Sequence, residues 1–327
     1  MSKIISFEHV SKAFEGSNRA AVRDVTLDVM SGHLVVLLGP SGCGKTTLMK
    51  MVNRLYEPTS GKIYIEGKEI HELPVNDLRR RIGYVIQQVG LFPHMRVNKN
   101  IAVVPQMLGW DKKRTAQRVD ELLDLVGLPP AEFRQRYPGQ LSGGQQQRVG
   151  LARALAADPS IMLMDEPFAA IDNITRTRLQ DELLRIQQTV RKTILFVTHD
   201  VEEALKLADE IVIMKDGEVV QYDTPLNILT RPANEFVAQL AGSDDVLRRL
   251  SLQTVAAAML PLNSNFSMNG HKVKPNTDLR EALGILISSN TQDLAVVNEE
   301  GRPIGRVTVD AIRNLTQAEQ TTQAPGR

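Results

Sequence analysis

A chain of 327 residues can hold one large domain and a smaller one, and its 42% hydrophobic content is that of a soluble globular protein. A formal net charge of +1 argues against a bulk binder of nucleic acid or anionic membrane. The single cysteine, Cys43, excludes an intrachain disulfide and suits a reducing cytosol, and no apolar run approaches the length of a membrane span.

Residues 1 to about 75 read as short strands and turns. The start at Met1 alternates as a strand and lacks the pattern of a signal peptide. Leu34 to Leu38 is a run of leucine and valine that reads as a buried strand. It leads into Gly39, Pro40, Ser41, Gly42, Cys43, Gly44, Lys45 and Thr46, which match G-x-x-x-x-G-K-[ST], and Thr46, Thr47 and onward to Val52 read as a helix. Strand, glycine loop and helix start is what phosphate binding requires. Glycines let backbone N–H groups approach phosphate oxygens, and the helix dipole favours negative charge there. Lys45 can then reach the β- and γ-phosphates, and the Thr46 hydroxyl can bind Mg²⁺.

Gly61 to Gly67 reads as a strand between glycines, and Arg79 to Arg81 as a solvated face before the strand Ile82 to Ile86. Residues 95 to 140 are helical in pattern. The apolar face of Val119 to Val126 packs within the domain and is stopped by Gly127, Pro129 and Pro130. Ser142, Gly143, Gly144 and Gln145 stand at a helix start, where unpaired N–H groups suit a phosphate. Ile161 to Met164 is an apolar run ending in Asp165 and Glu166, and Ile194 to Thr198 is another ending in His199. Side chains alternate along a strand, so two adjacent carboxylates at its end can serve a metal and a water separately. After residue 150 strands alternate with helices, which implies a parallel sheet. Taken singly, each residue has a plainer reading: Glu166 as a turn carboxylate, His199 as a hydrogen-bonded structural histidine, Phe14 as core and Asp172 as a helix N-cap.

From about residue 246 the chain reads as a separate unit. Leu279 to Ile287 is an amphipathic helix, Leu294 to Val297 a strand, and Pro303 to Val309 another, with Asp310 a candidate cap of the last helix. Residues 317–327 are polar and expected to be disordered.

The order and spacing of these motifs over residues 1 to about 240 resemble the ATP-binding subunits of ABC transporters. The resemblance implies an α/β P-loop ATPase, with a RecA-like core, an antiparallel β subdomain and a helical subdomain, that uses ATP and Mg²⁺. It implies that Phe14 stacks on adenine, and that Gln87 contacts Mg²⁺ and relays to a membrane subunit. Asp165 would hold Mg²⁺ with Thr46, Glu166 would polarise the attacking water, and His199 would sense the γ-phosphate. Ser142 to Gln145 match the signature motif, used in trans by a second copy, and Asp172 the dimer-contact aspartate. Two details depart from the commonest wording: Gly150 sits inside a helix, and Ala169, Ala170 and Asn173 stand where glycine and proline are frequent. Neither touches a catalytic side chain.

The βαββα tail, with Glu300, Gly301, Pro303, Ile304 and Gly305 at its centre, resembles a CBS motif in a single copy. Its Thr308–Asp310 spacing is one residue shorter than in adenylate-binding members. Domains are thus expected at 1–242 (ABC ATPase) and 246–316 (CBS-like). Gly90 to His94 after Gln87, together with the CBS-like tail, resembles the osmoprotectant branch of bacterial importers, which carry glycine betaine, carnitine, choline or related quaternary amines. That branch implies a peripheral subunit on the cytoplasmic face of the membrane. It would pair with a second copy, integral permease subunits and an extracytoplasmic solute-binding protein, and bind no nucleic acid. Another solute importer, such as one for amino acids, and a soluble ABC ATPase outside transport are the alternatives. Lys272, Lys274, Arg302 and Arg306 are candidate salt-sensing charges in the tail, with a plain solvated surface as the equal alternative.

Overall fold

In the computed structural model, residues 2–17, 19–87, 90–169, 171–262 and 271–321 are described. The chain forms two compact units, residues 1–222 and 223–327. The sequence placed the first break near residue 242, so the segment 223–242 falls with the second unit.

In the first unit the chain runs β1 (Lys3–Lys12), β2 (Val22–Met30), β3 (Leu34–Leu38), α1 (Lys45–Val52), β4 (Ser60–Ile65) and β5 (Lys68–Glu69). It continues α2 (Val75–Arg80), β6 (Ile82–Val85), α3 (Val97–Met107), α4 (Lys112–Leu125), α5 (Pro130–Phe133) and α6 (Gly143–Leu155). Then come β7 (Ile161–Asp165), α7 (Asn173–Val190), β8 (Thr193–Thr198), α8 (Val201–Leu207), β9 (Glu210–Lys215) and β10 (Glu218–Asp223). One sheet, β2-β1-β4-β5, is antiparallel. The other, β10-β9-β3-β8-β7-β6, pairs β9, β3, β8, β7 and β6 in parallel.

Hydrophobic patterning explains the difference between the sheets. Every residue of β3, β7 and β8 is buried, as central strands covered on both faces require. In β2 buried and exposed residues largely alternate, as on a half-solvated sheet. Register then places the site. Leu38 pairs with Thr198 and Asp165 with Val197, so the chain leaves β3, β7 and β8 side by side at their carboxyl ends, where ligands bind in open α/β sheets. The expected solvated face at Arg79 to Arg81 is partly used: Arg79 donates to the carbonyls of Asn53 and Arg54 and so ties α2 to the end of α1.

The second unit holds α9 (Pro225–Thr230), α10 (Glu235–Ala241), α11 (Val246–Ser251), β11 (Lys272–Val273), α12 (Leu279–Ser289), β12 (Asp293–Val297), β13 (Pro303–Thr308) and α13 (Val309–Thr321). Its sheet, β11-β12-β13, is parallel then antiparallel, the expected βαββα unit. Leu250, Val273, Leu279, Leu286, Leu294 and Val307 are among its core residues. Two expectations are corrected here. Asp310 does not cap α13. The strand runs straight into the helix, so the cap position falls on Thr308, whose hydroxyl accepts the Ala311 amide, while Asp310 pairs with Arg313. The stretch expected to be disordered from 317 is helical to Thr321, and residues 322–327 lie outside the described residues. Three of the four candidate salt-sensing cations already have carboxylate partners: Lys274 with Glu299, Arg302 with Glu300 and Arg306 with Asp293.

Candidate active site

The loop from Gly39 to Gly44 can exist only with glycine at two points. A Cβ at Gly39 would run into the Met214 carbonyl oxygen, and one at Gly44 into that of Ala21. Gly44 also takes a φ of 107°, which side chains disfavour. The crest at Pro40, Ser41 and Gly42 is exposed, while Cys43 is buried and turns its thiol into the core. Thr47 lies half-buried in the first turn of α1.

Lys45, only 5% exposed, donates to the carbonyls of Gly39 at 2.7 Å and Pro40 at 2.9 Å. A buried ammonium held by two carbonyls is a positive charge set inside the loop. Next to it, the Thr46 hydroxyl donates to Asp165 Oδ1 at 2.9 Å. Burial pushes the Asp165 carboxyl up from its ordinary value. The Thr46 hydroxyl and the ammonium groups of Lys50 and Lys45 pull it down, and Glu166 pushes it up further. A buried carboxylate beside a hydroxyl is a hard-oxygen pair that fits Mg²⁺. Among the described residues no group of three or more His, Cys, Asp or Glu could hold a metal, so this pair needs phosphate oxygens or water to complete a shell.

Glu166 lies beyond the strand end. Its φ of 43° puts it in the left-handed region, and its amide donates to the Val197 carbonyl at 3.0 Å. Strand alternation was expected to separate the two carboxylates; with β7 ending at Asp165, a backbone turn at Glu166 contributes as well. Glu166 Oε2 accepts from Gln87 Nε2 at 3.4 Å, and Oε1 lies 3.3 Å from His199 Nδ1. Glu166 thus stands between Gln87 on one side and a half-exposed His199 on the other.

The remaining predicted residues lie elsewhere. Phe14 is exposed and meets Tyr56 edge-on at 5.2 Å between centroids, with the Lys12 ammonium 5.1 Å from its ring. Ser142 and Gln145 form a capping box at the start of α6. Gln145 N donates to Ser142 Oγ at 3.3 Å and Ser142 N to Gln145 Oε1 at 3.0 Å. Asp172 caps α7 through the Thr175 amide at 3.0 Å, and that bond holds its carboxyl below the ordinary range. Gly144 packs close to Thr175, so the starts of α6 and α7 sit together. Ser142, Gly143, Asp172 and Ile174 are all exposed, and Ile174 is 71% so. No described hydrogen bond or ion pair joins this face to Lys45, Thr46, Asp165 or Glu166 in the same chain.

The sequence reading passed over Arg176 and Glu203, which lie behind His199. Their signal was available: Arg176 is in register with the buried stripe of α7 at Leu179, Gln180, Leu183 and Gln187, an unusual place for a charge.

Comparison with known proteins agrees with this arrangement. The ABC transporter family matches residues 22–169 and the CBS domain family residues 270–316. The chain is 50% identical over 303 residues to the glycine betaine uptake system ATP-binding protein YehX of Escherichia coli (strain K12), covering 92% of this chain and 96% of that protein. It is 46% identical over 316 residues to the osmoprotectant import ATP-binding protein OsmV of Salmonella typhimurium, covering 96% of this chain and 81% of that one. Among solved structures, the dimeric post-hydrolysis state of the ATP-binding cassette MJ0796, bound to ADP and Pi, matches with a TM-score of 0.60 and 33% identity. That match covers 68% of this chain and 99% of the other. With the phosphate loop, the paired carboxylates and the histidine at adjoining strand ends, and relatives this similar along nearly the whole chain, the protein belongs to the ATP-binding subunits of ABC transporters.

Proposed function

We propose that this chain is the ATP-hydrolysing peripheral subunit of an importer for a quaternary-amine osmoprotectant such as glycine betaine, carnitine or choline. The observation that carries the hydrolytic part is the meeting of Lys45, Thr46, Asp165, Glu166, Gln87 and His199 at the ends of four paired strands, β3, β8, β7 and β6. Lys45 neutralises the β- and γ-phosphates, and the loop amides from Gly39 to Gly44 position them. Glu166 accepts a proton from the attacking water, Gln87 and His199 hold the carboxylate between them, and His199 contacts the γ-phosphate. Thr46, Asp165 and Gln87 would hold Mg²⁺, which would supply charge neutralisation at the phosphates. Phe14 stacks on the adenine.

The solute class rests on the similarity to YehX and OsmV. The exposed face of Ser142, Gly143, Asp172 and Ile174 supports a second copy that completes each site in trans. The relatives' names, an uptake-system and an import ATP-binding protein, support attachment to permease subunits, which would lie at the cytoplasmic face. An extracytoplasmic protein would deliver the solute. The single CBS-like unit would tune uptake, pairing with the copy on the second subunit.

The deciding experiment places the chain with its permease in vesicles with ATP inside and measures uptake of labelled glycine betaine, carnitine, choline and an amino acid. ATP-driven uptake of a quaternary amine is expected. Uptake of the amino acid alone would favour the alternative importer.

A further inference from the structure

His199 stands in the two-residue gap between β8 and α8, and one buried pair holds the residues on both sides of it. Thr198 Oγ1 donates to Glu203 Oε2 at 2.7 Å and accepts the Asp200 amide at 3.0 Å. Asp200 Oδ1 accepts the amides of Glu202 and Glu203, capping α8. Glu203 is 5% exposed, and its Oε1 accepts from Gln180 Nε2 at 3.3 Å. Burial pushes the Glu203 carboxyl up, the Thr198 hydroxyl pulls it down, Asp200 raises it, and Arg176 and Gln180 lower it.

Arg176 reaches three points from this centre. Its Nε lies 4.0 Å from Glu203 Oε1, and its Nη1 donates to Asp200 Oδ2 at 3.4 Å. Its Nη2 donates at 3.0 Å to the carbonyl of Ile171, the residue before Asp172. The Arg176 backbone amide also donates to the Asp172 carbonyl at 2.8 Å, the bond that opens α7. A single guanidinium therefore joins the segment entering α7 to the segment entering α8.

We propose that Arg176 is a positioning residue that locks the Ile171–Asp172 turn to the Thr198–Asp200 turn, setting His199 against Glu166 according to the state of Asp172. The inference rests on the reading of Asp172 as the partner-facing residue and His199 as part of the hydrolysis site. Contact by a second copy at the exposed Asp172 is then felt at His199 of the same subunit through one side chain. The planar guanidinium is needed for this. It stays charged and directs donors along fixed divergent axes, whereas a lysine ammonium offers one point and cannot span Ile171 and Asp200 together.

The test uses the full chain and measures ATP turnover, affinity for a non-hydrolysable ATP analogue, and amide exchange without nucleotide. Arg176→Met should lower kcat about tenfold with analogue Kd changed less than about twofold, and Arg176→Lys should recover only part of the loss. Peptides spanning Ile171–Asn173 and Thr198–Glu203 should exchange faster together. In a His199→Ala background, Arg176→Met should lower the residual turnover less than about twofold, because the two residues act as one unit. Full turnover in folded Arg176→Met, or an equal loss in both backgrounds, overturns the proposal. Should Arg176→Met not fold, Asp200→Asn is read instead. It keeps Oδ1 as acceptor for the Glu202 and Glu203 amides and replaces the oxygen that accepts from Arg176 Nη1, so a drop in kcat that vanishes in the His199→Ala background supports the lock and an unchanged kcat refutes it. Unaltered turnover in His199→Ala itself would sink the reading of the site and the inference with it; loss at His199 with none at Arg176 overturns the inference alone.

Discussion

Replacing Lys45 by methionine separates binding from folding. The ammonium is buried and makes two charge-assisted hydrogen bonds to the Gly39 and Pro40 carbonyls. Its loss leaves those carbonyls short of a donor, at about 1–3 kcal/mol. It also removes a desolvated charge, which offsets much of that cost. The nucleotide-free chain should therefore change stability by about 1 kcal/mol or less. Nucleotide binding has no such offset. Hydrogen bonds to charged groups contribute about 1.5–3 kcal/mol each, so losing one or two at the phosphates costs about 3–4 kcal/mol, or between two and three decades in Kd. Calorimetric titration with Mg²⁺-ATP measures the Kd, and thermal unfolding with and without ATP measures both effects at once, since ligand stabilisation grows as the logarithm of concentration over Kd. A variant that binds ATP within threefold of the original, or whose ATP-free unfolding temperature collapses, would refute the reasoning.

Glu166→Gln should keep ATP binding, lose most hydrolysis and gather into an ATP-held dimer on size-exclusion; a folded, ATP-bound variant that stays monomeric counts against completion of the site by a second copy. Gly44→Ala should lose at least about 1–3 kcal/mol of stability from its φ of 107° and the overlap with the Ala21 carbonyl, read by urea unfolding, and wild-type stability would contradict the steric argument. Glu182 lies 2.8 Å from Arg148, yet burial lifts its carboxyl above the ordinary 4.5, against the pull of Arg148 and Arg185. A raised folded pKa gives stability below the unfolded pKa that is lost as pH rises through the folded value. Glu182→Gln should therefore be at least as stable as the original at pH 7, with any gain fading as pH falls toward 4. Arg148→Met, which strands the carboxylate, should lose about 1–3 kcal/mol at pH 7; a larger loss in Glu182→Gln than in Arg148→Met would reverse this account. Deleting residues 243–327 should leave basal ATPase activity near its original level and alter how vesicle uptake depends on internal salt; loss of hydrolysis would assign the tail a structural role.

Local sequence determined much of this protein. The spacing of the phosphate-loop motif, the apolar runs of β3, β7 and β8, and the capping box at Ser142 are each written in residues within a few positions of one another, so they are legible without a fold, although the carbonyls of Met214 and Ala21 that forbid a side chain at Gly39 and Gly44 come from distant segments. The βαββα tail is legible for the same reason. What the chain could not state was which strand lies beside which. Parallel pairing joins β3 to β8 across well over a hundred residues and β7 to β8 across an intervening helix, and only the register of Leu38 with Thr198 and of Asp165 with Val197 brings Lys45, Glu166 and His199 to one place. The same limit hid Arg176 and Glu203. A charge on a buried helical stripe marks an unsatisfied demand in the sequence, but its partners are chosen by the packing of α7 against α8. Likewise Asp310 had cap chemistry, and the abrupt passage from β13 into α13 gave the cap to Thr308, because capping depends on where the backbone turns and not on which side chain could serve.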